Sequence, residues 1–106
     1  MSYPIQLHAD LAIDSAREDQ AIHYFETVYR PAASRFDGYL DLRLLKLTTV
    51  VVGSAPPDLN YRFSITFTSE ALRQHWVASE AHQEVWGRLE TFLTKHDYNF
   101  LLFDVI

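Results

Sequence analysis

The segment SEALRQHWVASEAHQEVW, residues 69–86, gathers two histidines and two tryptophans beside two copies of the tripeptide Ser-Glu-Ala. His82 is the group best suited to proton transfer. Near the start of a helix the positive end of the backbone dipole disfavours the imidazolium, which leaves a neutral ring able to take or give a proton near pH 7. The same position also suits a partly buried histidine bonded to a backbone carbonyl, with no chemistry at all. Trp76 and Trp86 can wall a pocket for a flat ligand, with Tyr24, Tyr29 and Phe63 as further substrate-binding candidates, or they can fill a core. His8 and Asp10 stand two residues apart, where a carboxylate biases the ring toward its charged form. They read either as an acid/base pair or as an intersubunit salt bridge.

Other chemistries find little support. His75 and His82 are too far apart on a continuous helix to share one ion, and the sequence has no His-x-His or His-Glu-x-x-His pattern, so no metal is expected. With three glycines in the chain there is no glycine-rich phosphate loop. No cofactor is expected; haem would need His82 or His75 as its axial ligand. The absence of cysteine removes disulfides and thiolate chemistry.

Alternation and helical spacing define the elements that must position these residues. Ile5, Leu7, Ala9, Leu11 and Ile13 share one face of a first strand, with Gln6, His8 and Asp10 on the other. Ser15 and Glu18 have the spacing of a capping box that opens a helix carrying Ile22, Phe25, Tyr29, Ala32 and Phe36. Pro31 must kink that helix or restart it, and Asp37-Gly38 ends it. A long second strand runs from Tyr39 to Val52, with Leu40, Leu42 and Leu44 opposite Asp41 and Arg43. GSAPPDLN, residues 53–60, connects it to a third strand in which Tyr61, Phe63, Ile65 and Phe67 oppose Arg62, Ser64 and Thr66. Ser69 and Ser79 each read as a helix cap followed by a first-turn carboxylate, giving a short helix with Leu72 and Trp76, then a longer one with Val85, Trp86, Leu89, Phe92 and Leu93. A single continuous helix is the alternative. NFLLFDVI, residues 99–106, forms a fourth strand.

At 106 residues the chain is read as one domain, residues 1–106, with strand, helix, strand, strand, helical region and strand in order. This is the ferredoxin-like βαββαβ arrangement of the α+β class, a four-stranded antiparallel sheet with helices on one face. The uncovered face is polar and of mixed sign. It is either solvated or stacked against a second copy, with Leu45, Leu47 and Leu101 adding apolar wall. A formal net charge of −5 and scattered basic residues argue against nucleic acid, and the lack of exposed aromatics beside Arg62, Ser64 and Thr66 argues against single-stranded RNA. No apolar run is long enough for a membrane span and the N-terminus lacks a signal-peptide pattern, so a soluble cytoplasmic protein is expected.

The element order, the FDGYLDLRLL entry to the second strand, FSITFTSEALRQHW and SEAHQEVWGRL together resemble the dimeric α+β barrel superfamily, in particular its antibiotic-biosynthesis-monooxygenase-type domains. Ser79 and His82 match that family's Ser-x-x-His turn. The resemblance implies a homodimer and a small hydrophobic or aromatic ligand held between helices and sheet in each subunit. It also implies cofactor-independent, monooxygenase-like chemistry on an aromatic or quinol-type substrate, with a non-catalytic ligand-binding or stress-associated dimer as the alternative. Oxygenases and haem degraders of the family pair a helix tryptophan, here Trp76, with a first-strand asparagine. This chain has His8 and Asp10 there instead.

Overall fold

A computed structural model describes residues 2–106. Strand β1 (Ile5–Leu11) leads through a single turn of 3-10 helix (Ser15–Arg17) into α1 (Glu18–Tyr24), a π-helical segment (Phe25–Tyr29) and α2 (Arg30–Ser34). Strands β2 (Tyr39–Lys46) and β3 (Tyr61–Phe67) come next, then α3 (Glu70–Val77), α4 (Glu80–Glu90) and β4 (Phe100–Asp104). The strands form one sheet in the order β2-β3-β1-β4, every neighbouring pair antiparallel. The ferredoxin-like α+β architecture expected from the sequence is therefore present. No helix among the described residues is long and apolar enough to cross a membrane.

The registers explain which side chains meet. Ala9 lies opposite Phe63 of β3 and Phe100 of β4, and Leu7 opposite Ile65 and Leu102. The core lies between this face and the helices. It contains Ala9, Leu11, Leu42, Tyr61, Phe63, Ile65 and Phe67 from the sheet, against Ala21, Phe25, Tyr29, Trp76, Val85 and Leu89 from the helical side. Burying a large aliphatic or aromatic side chain stabilises the fold by about 1.5–3 kcal/mol, so this layer dominates the stability.

Local chemistry shifts several boundaries. The helix opens on Asp14, whose carboxylate accepts from the Ala16 amide, so Ser15 and Glu18 form no capping box. Glu18 instead accepts from the Tyr61 hydroxyl at 2.8 Å and pairs with Lys46 at 2.9 Å, tying the helix start to β2 and β3. Tertiary partners outcompete the local reciprocal bond. Pro31 is accommodated by the π segment just before it, where the Arg30 amide donates to the Phe25 carbonyl. A proline ring crowds the carbonyl four residues back and supplies no amide, and the widened turn relieves that demand.

Strand β2 is shorter than its composition suggests, ending at Lys46 rather than Val52, because residues 47–60 turn away as a long connection. Its start is bulged. Tyr39 pairs with Phe67 and Asp41 with Thr66, which leaves Leu40 unpaired, half-exposed and off the apolar face assigned to it. Beyond β1, the Asn60 side chain accepts from the Ile13 amide and donates to its carbonyl, so an asparagine stands in for one more rung of the ladder. Gly38 has φ +85, and a Cβ there would lie 2.6 Å from Leu72 Cδ1 and 2.8 Å from Thr68 Oγ1. Only glycine lets the chain pass that close to α3.

Candidate functional site

The two Ser-Glu-Ala copies are two helix starts. Ser69 accepts from the Leu72 amide at the head of α3, and Ser79 accepts from the His82 amide at the head of α4. The break at Ala78-Ser79 changes the direction of the chain between Trp76 and His82, which brings their rings to 5.2 Å in an edge-on contact. His82 then stacks nearly parallel on Trp86, with ring centres 6.3 Å apart and planes at 8°.

These three rings form one wall of a cavity of about 340 Å³ between the helices and the sheet. Tyr29, delivered by the π segment, Phe63 of β3 and Phe100 of β4 complete the aromatic lining; the Tyr29 and Phe63 rings are 5.3 Å apart, and Tyr29 also contacts Trp76 and Trp86. Leu7 and Ala9 form the floor on β1. Ala9 is the reason for the space: a methyl group stands between Phe63 and Phe100 on the neighbouring strands, where a larger side chain would fill the hollow.

Of the residues singled out from sequence, the structure brings His82, Trp76, Trp86, Tyr29 and Phe63 together on this cavity. Tyr24 is elsewhere. Its hydroxyl donates to the Val85 carbonyl at 2.8 Å and its ring packs against Phe92, off the cavity lining, so it is a core residue rather than a wall of the site. His8 and Asp10 face the opposite side of the sheet and do not bond each other. Asp10 pairs with Arg62 at 2.9 Å and His8 meets Gln6 Oε1 at 2.6 Å, so the carboxylate is matched within its own subunit. His75 packs on Phe36, away from His82. Sequence reasoning missed Arg73 and Phe100 on the lining. Arg73 had a signal, since it precedes Trp76 by three residues and so shares its helix face.

The electrostatics centre on His82. Burial pushes its pKa below the ordinary imidazole value and the Arg73 charge adds to this, while the nearby Val77 carbonyl opposes. The ring is therefore neutral near pH 7. Nδ1 is buried and meets no group in hydrogen-bond geometry among the described residues, although buried polar atoms are nearly always satisfied. The Tyr29 phenol is driven far above its usual range by burial, so it stays protonated. The cavity thus presents an apolar, aromatic volume with a neutral imidazole, a phenol and one guanidinium at its border. Among the described residues no cluster of three or more His, Asp or Glu side chains that could hold a metal ion is present.

No family model and no curated protein matches the sequence. The likeness to solved structures is extensive. A dimeric ferredoxin-like protein of unknown function from Jannaschia sp. CCS1 superposes with a TM-score of 0.77 at 16% identity, over 96% of this chain and 99% of that one. A protein of Caulobacter crescentus CB15, provisionally named an antibiotic biosynthesis monooxygenase, gives 0.77 at 12% identity, over 99% and 92%. SnoaB, a cofactor-independent oxygenase of Streptomyces nogalater in a single-substitution variant, gives 0.69 at 16% identity, over 98% and 94%. The chain shares with these proteins the ferredoxin-like α+β fold over nearly its whole length.

Proposed function

We propose that the cavity binds a flat aromatic or quinol-type ligand and that His82 exchanges a proton with it, in a reaction of the cofactor-independent monooxygenase type. The observation that carries this reading is a histidine held neutral by burial on the lining of an aromatic cavity. A ring in that state accepts a proton from an acidic carbon or hydroxyl of a bound ligand. The resulting anion reduces dioxygen; one oxygen atom becomes a new carbonyl on the ligand, and the other leaves as water with the two hydrogens lost. The ligand itself supplies the electrons. Trp76, Trp86, Tyr29 and Phe63 hold it flat and keep water out.

Oxygen uptake with anthrone or a dihydroxynaphthalene tests the reading. His82→Ala is expected to lower the protein-dependent rate by about 10²-fold or more with the circular dichroism spectrum unchanged, and Ala9→Leu is expected to block ligand binding by filling the floor. Full turnover in His82→Ala removes the proposed role. A second reading, a binding protein without turnover, draws support from β1, which offers the cavity only Leu7 and Ala9. It predicts tryptophan fluorescence changes with aromatic ligands, no oxygen uptake, and a loss of stability rather than rate in His82→Ala.

The chain is further proposed to work as a homodimer. Phe100, Leu101, Leu102 and Phe103 are all about half-exposed along β4, an edge strand whose other side is unpaired among the described residues. Such an edge calls for cover. Light scattering is expected to give the mass of two chains, and the double variant Leu101→Lys, Phe103→Lys the mass of one. A single chain for the unaltered protein ends the dimer proposal.

A further inference from the structure

We propose that the ligand of this cavity carries a carboxylate, that Arg73 reads it, and that Glu70 occupies Arg73 in its absence. The inference rests on the cavity being a ligand site and adds the chemical class of the ligand. Among the described residues Arg73 is the one full cation on the lining, and no lining residue is an acid. Its matching charge lies outside: Glu70, one turn earlier at the head of α3, receives Nε at 2.7 Å and also accepts from Nη2.

That contact is a two-pronged grip on a carboxylate, the geometry a guanidinium offers to a carboxylate ligand. It consumes two of the side chain's N–H groups. A guanidinium has about five, and no other side chain or carbonyl among the described residues takes the rest. The Arg73 side chain is 16% exposed, whereas that of Glu70 is 33% exposed. The acid is thus the more exposed partner; Gln74 Nε2 also donates to its Oε1 at 3.0 Å, which can hold it to one side of Arg73, and at the start of α3 its charge stays favourable because the helix dipole is there.

The remaining polar groups suit the same ligand. His82 is neutral and brings no second cation to compete with Arg73. The phenol of Tyr29 is buried on the same wall. In a chain of net charge −5 the mean field repels anions, so an acidic ligand needs a specific cation at its end point. The aromatic body then lies against the wall formed by Trp76, His82 and Trp86, and the carboxylate takes the place of Glu70 on Arg73.

Isothermal titration with 2-naphthoate and with its methyl ester tests this. The unaltered protein is expected to bind the acid about tenfold tighter than the ester. Arg73→Gln should abolish that preference, so that acid and ester bind alike, and Glu70→Gln should tighten acid binding several-fold without affecting the ester, because the internal competitor is gone. Equal binding of acid and ester by the unaltered protein overturns the carboxylate assignment while the cavity reading stands. Acid affinity that is unchanged or weaker in Glu70→Gln overturns the role given to Glu70. If neither probe binds, both the cavity reading and this inference fall.

Discussion

His82 and His8 stand on opposite sides of one sheet and are pushed the same way, below the ordinary imidazole value, in each case by burial first. Their surroundings differ. His8 meets Gln6, lies edge-on to Phe103 at 5.0 Å, and sits beside an Asp10-Arg62 pair whose two charges act on it in opposite directions. His82 packs against Trp76 and Trp86 on the lining of the cavity. A lowered pKa therefore does not distinguish the two; a place beside an open volume does. The helix-facing side of the sheet holds a ring next to a hollow, and the back holds a network that is already closed.

Substitutions can break or refine this contrast. The largest effect is expected from Trp76→Ala, about 3–5 kcal/mol in urea unfolding, because a fully buried aromatic leaves a void; a loss under about 1 kcal/mol would show that this side carries little of the core. Asp10→Ala on the back should cost about 1 kcal/mol, since the Arg62 side chain is 40% exposed and its freed guanidinium can turn to water. Ser79→Ala should cost a similar amount, about 1 kcal/mol, through the lost cap on the His82 amide, and should also loosen the Trp76-His82 contact in tryptophan fluorescence.

Acid titration gives the smallest and most specific effect. Both rings are held neutral in the folded chain, while unfolded histidine titrates near 6.5, so the unfolded state takes up protons first as the pH falls. The contribution of each ring to stability is complete above 6.5 and is lost as the pH drops through the interval below it. Denaturation curves at stepped pH should show that decline, with a shallower slope in His82→Asn. Proton NMR should place both histidines below 6.5, and an aromatic ligand should move only His82. A ligand-induced shift at His8 instead would put the site on the wrong face.

The element order was legible because period-two and helical spacing are properties of the chain itself: Tyr61, Phe63, Ile65 and Phe67 alternate against Arg62, Ser64 and Thr66 whatever they touch. The paired helix starts were legible for the same reason, since Ser69 and Ser79 act on amides three residues away. What needed the third dimension was register. That Phe100 stands beside Ala9, and that this small side chain opens the cavity, comes from strand order and pairing rather than from any local pattern. Tyr24 was misplaced because it shares a helix with Tyr29 and only the packing of α4 decides which of them faces the hollow. Glu18 was misread because Tyr61 and Lys46, distant in sequence, offered it better partners than the Ser15 amide.

The widened turn at Phe25–Tyr29 gives this helix one residue of slack. A π turn holds one residue more than an ordinary turn for about the same rotation, so deleting one residue there, Val28 for example, would return ordinary helix with Tyr24 still directed at the Val85 carbonyl and Tyr29 still on the aromatic wall. The cost would fall on Pro31, whose ring would then crowd the carbonyl four residues back, at about 3 kcal/mol. A single-codon deletion that spares both rings would thus be felt at a proline outside the cavity lining.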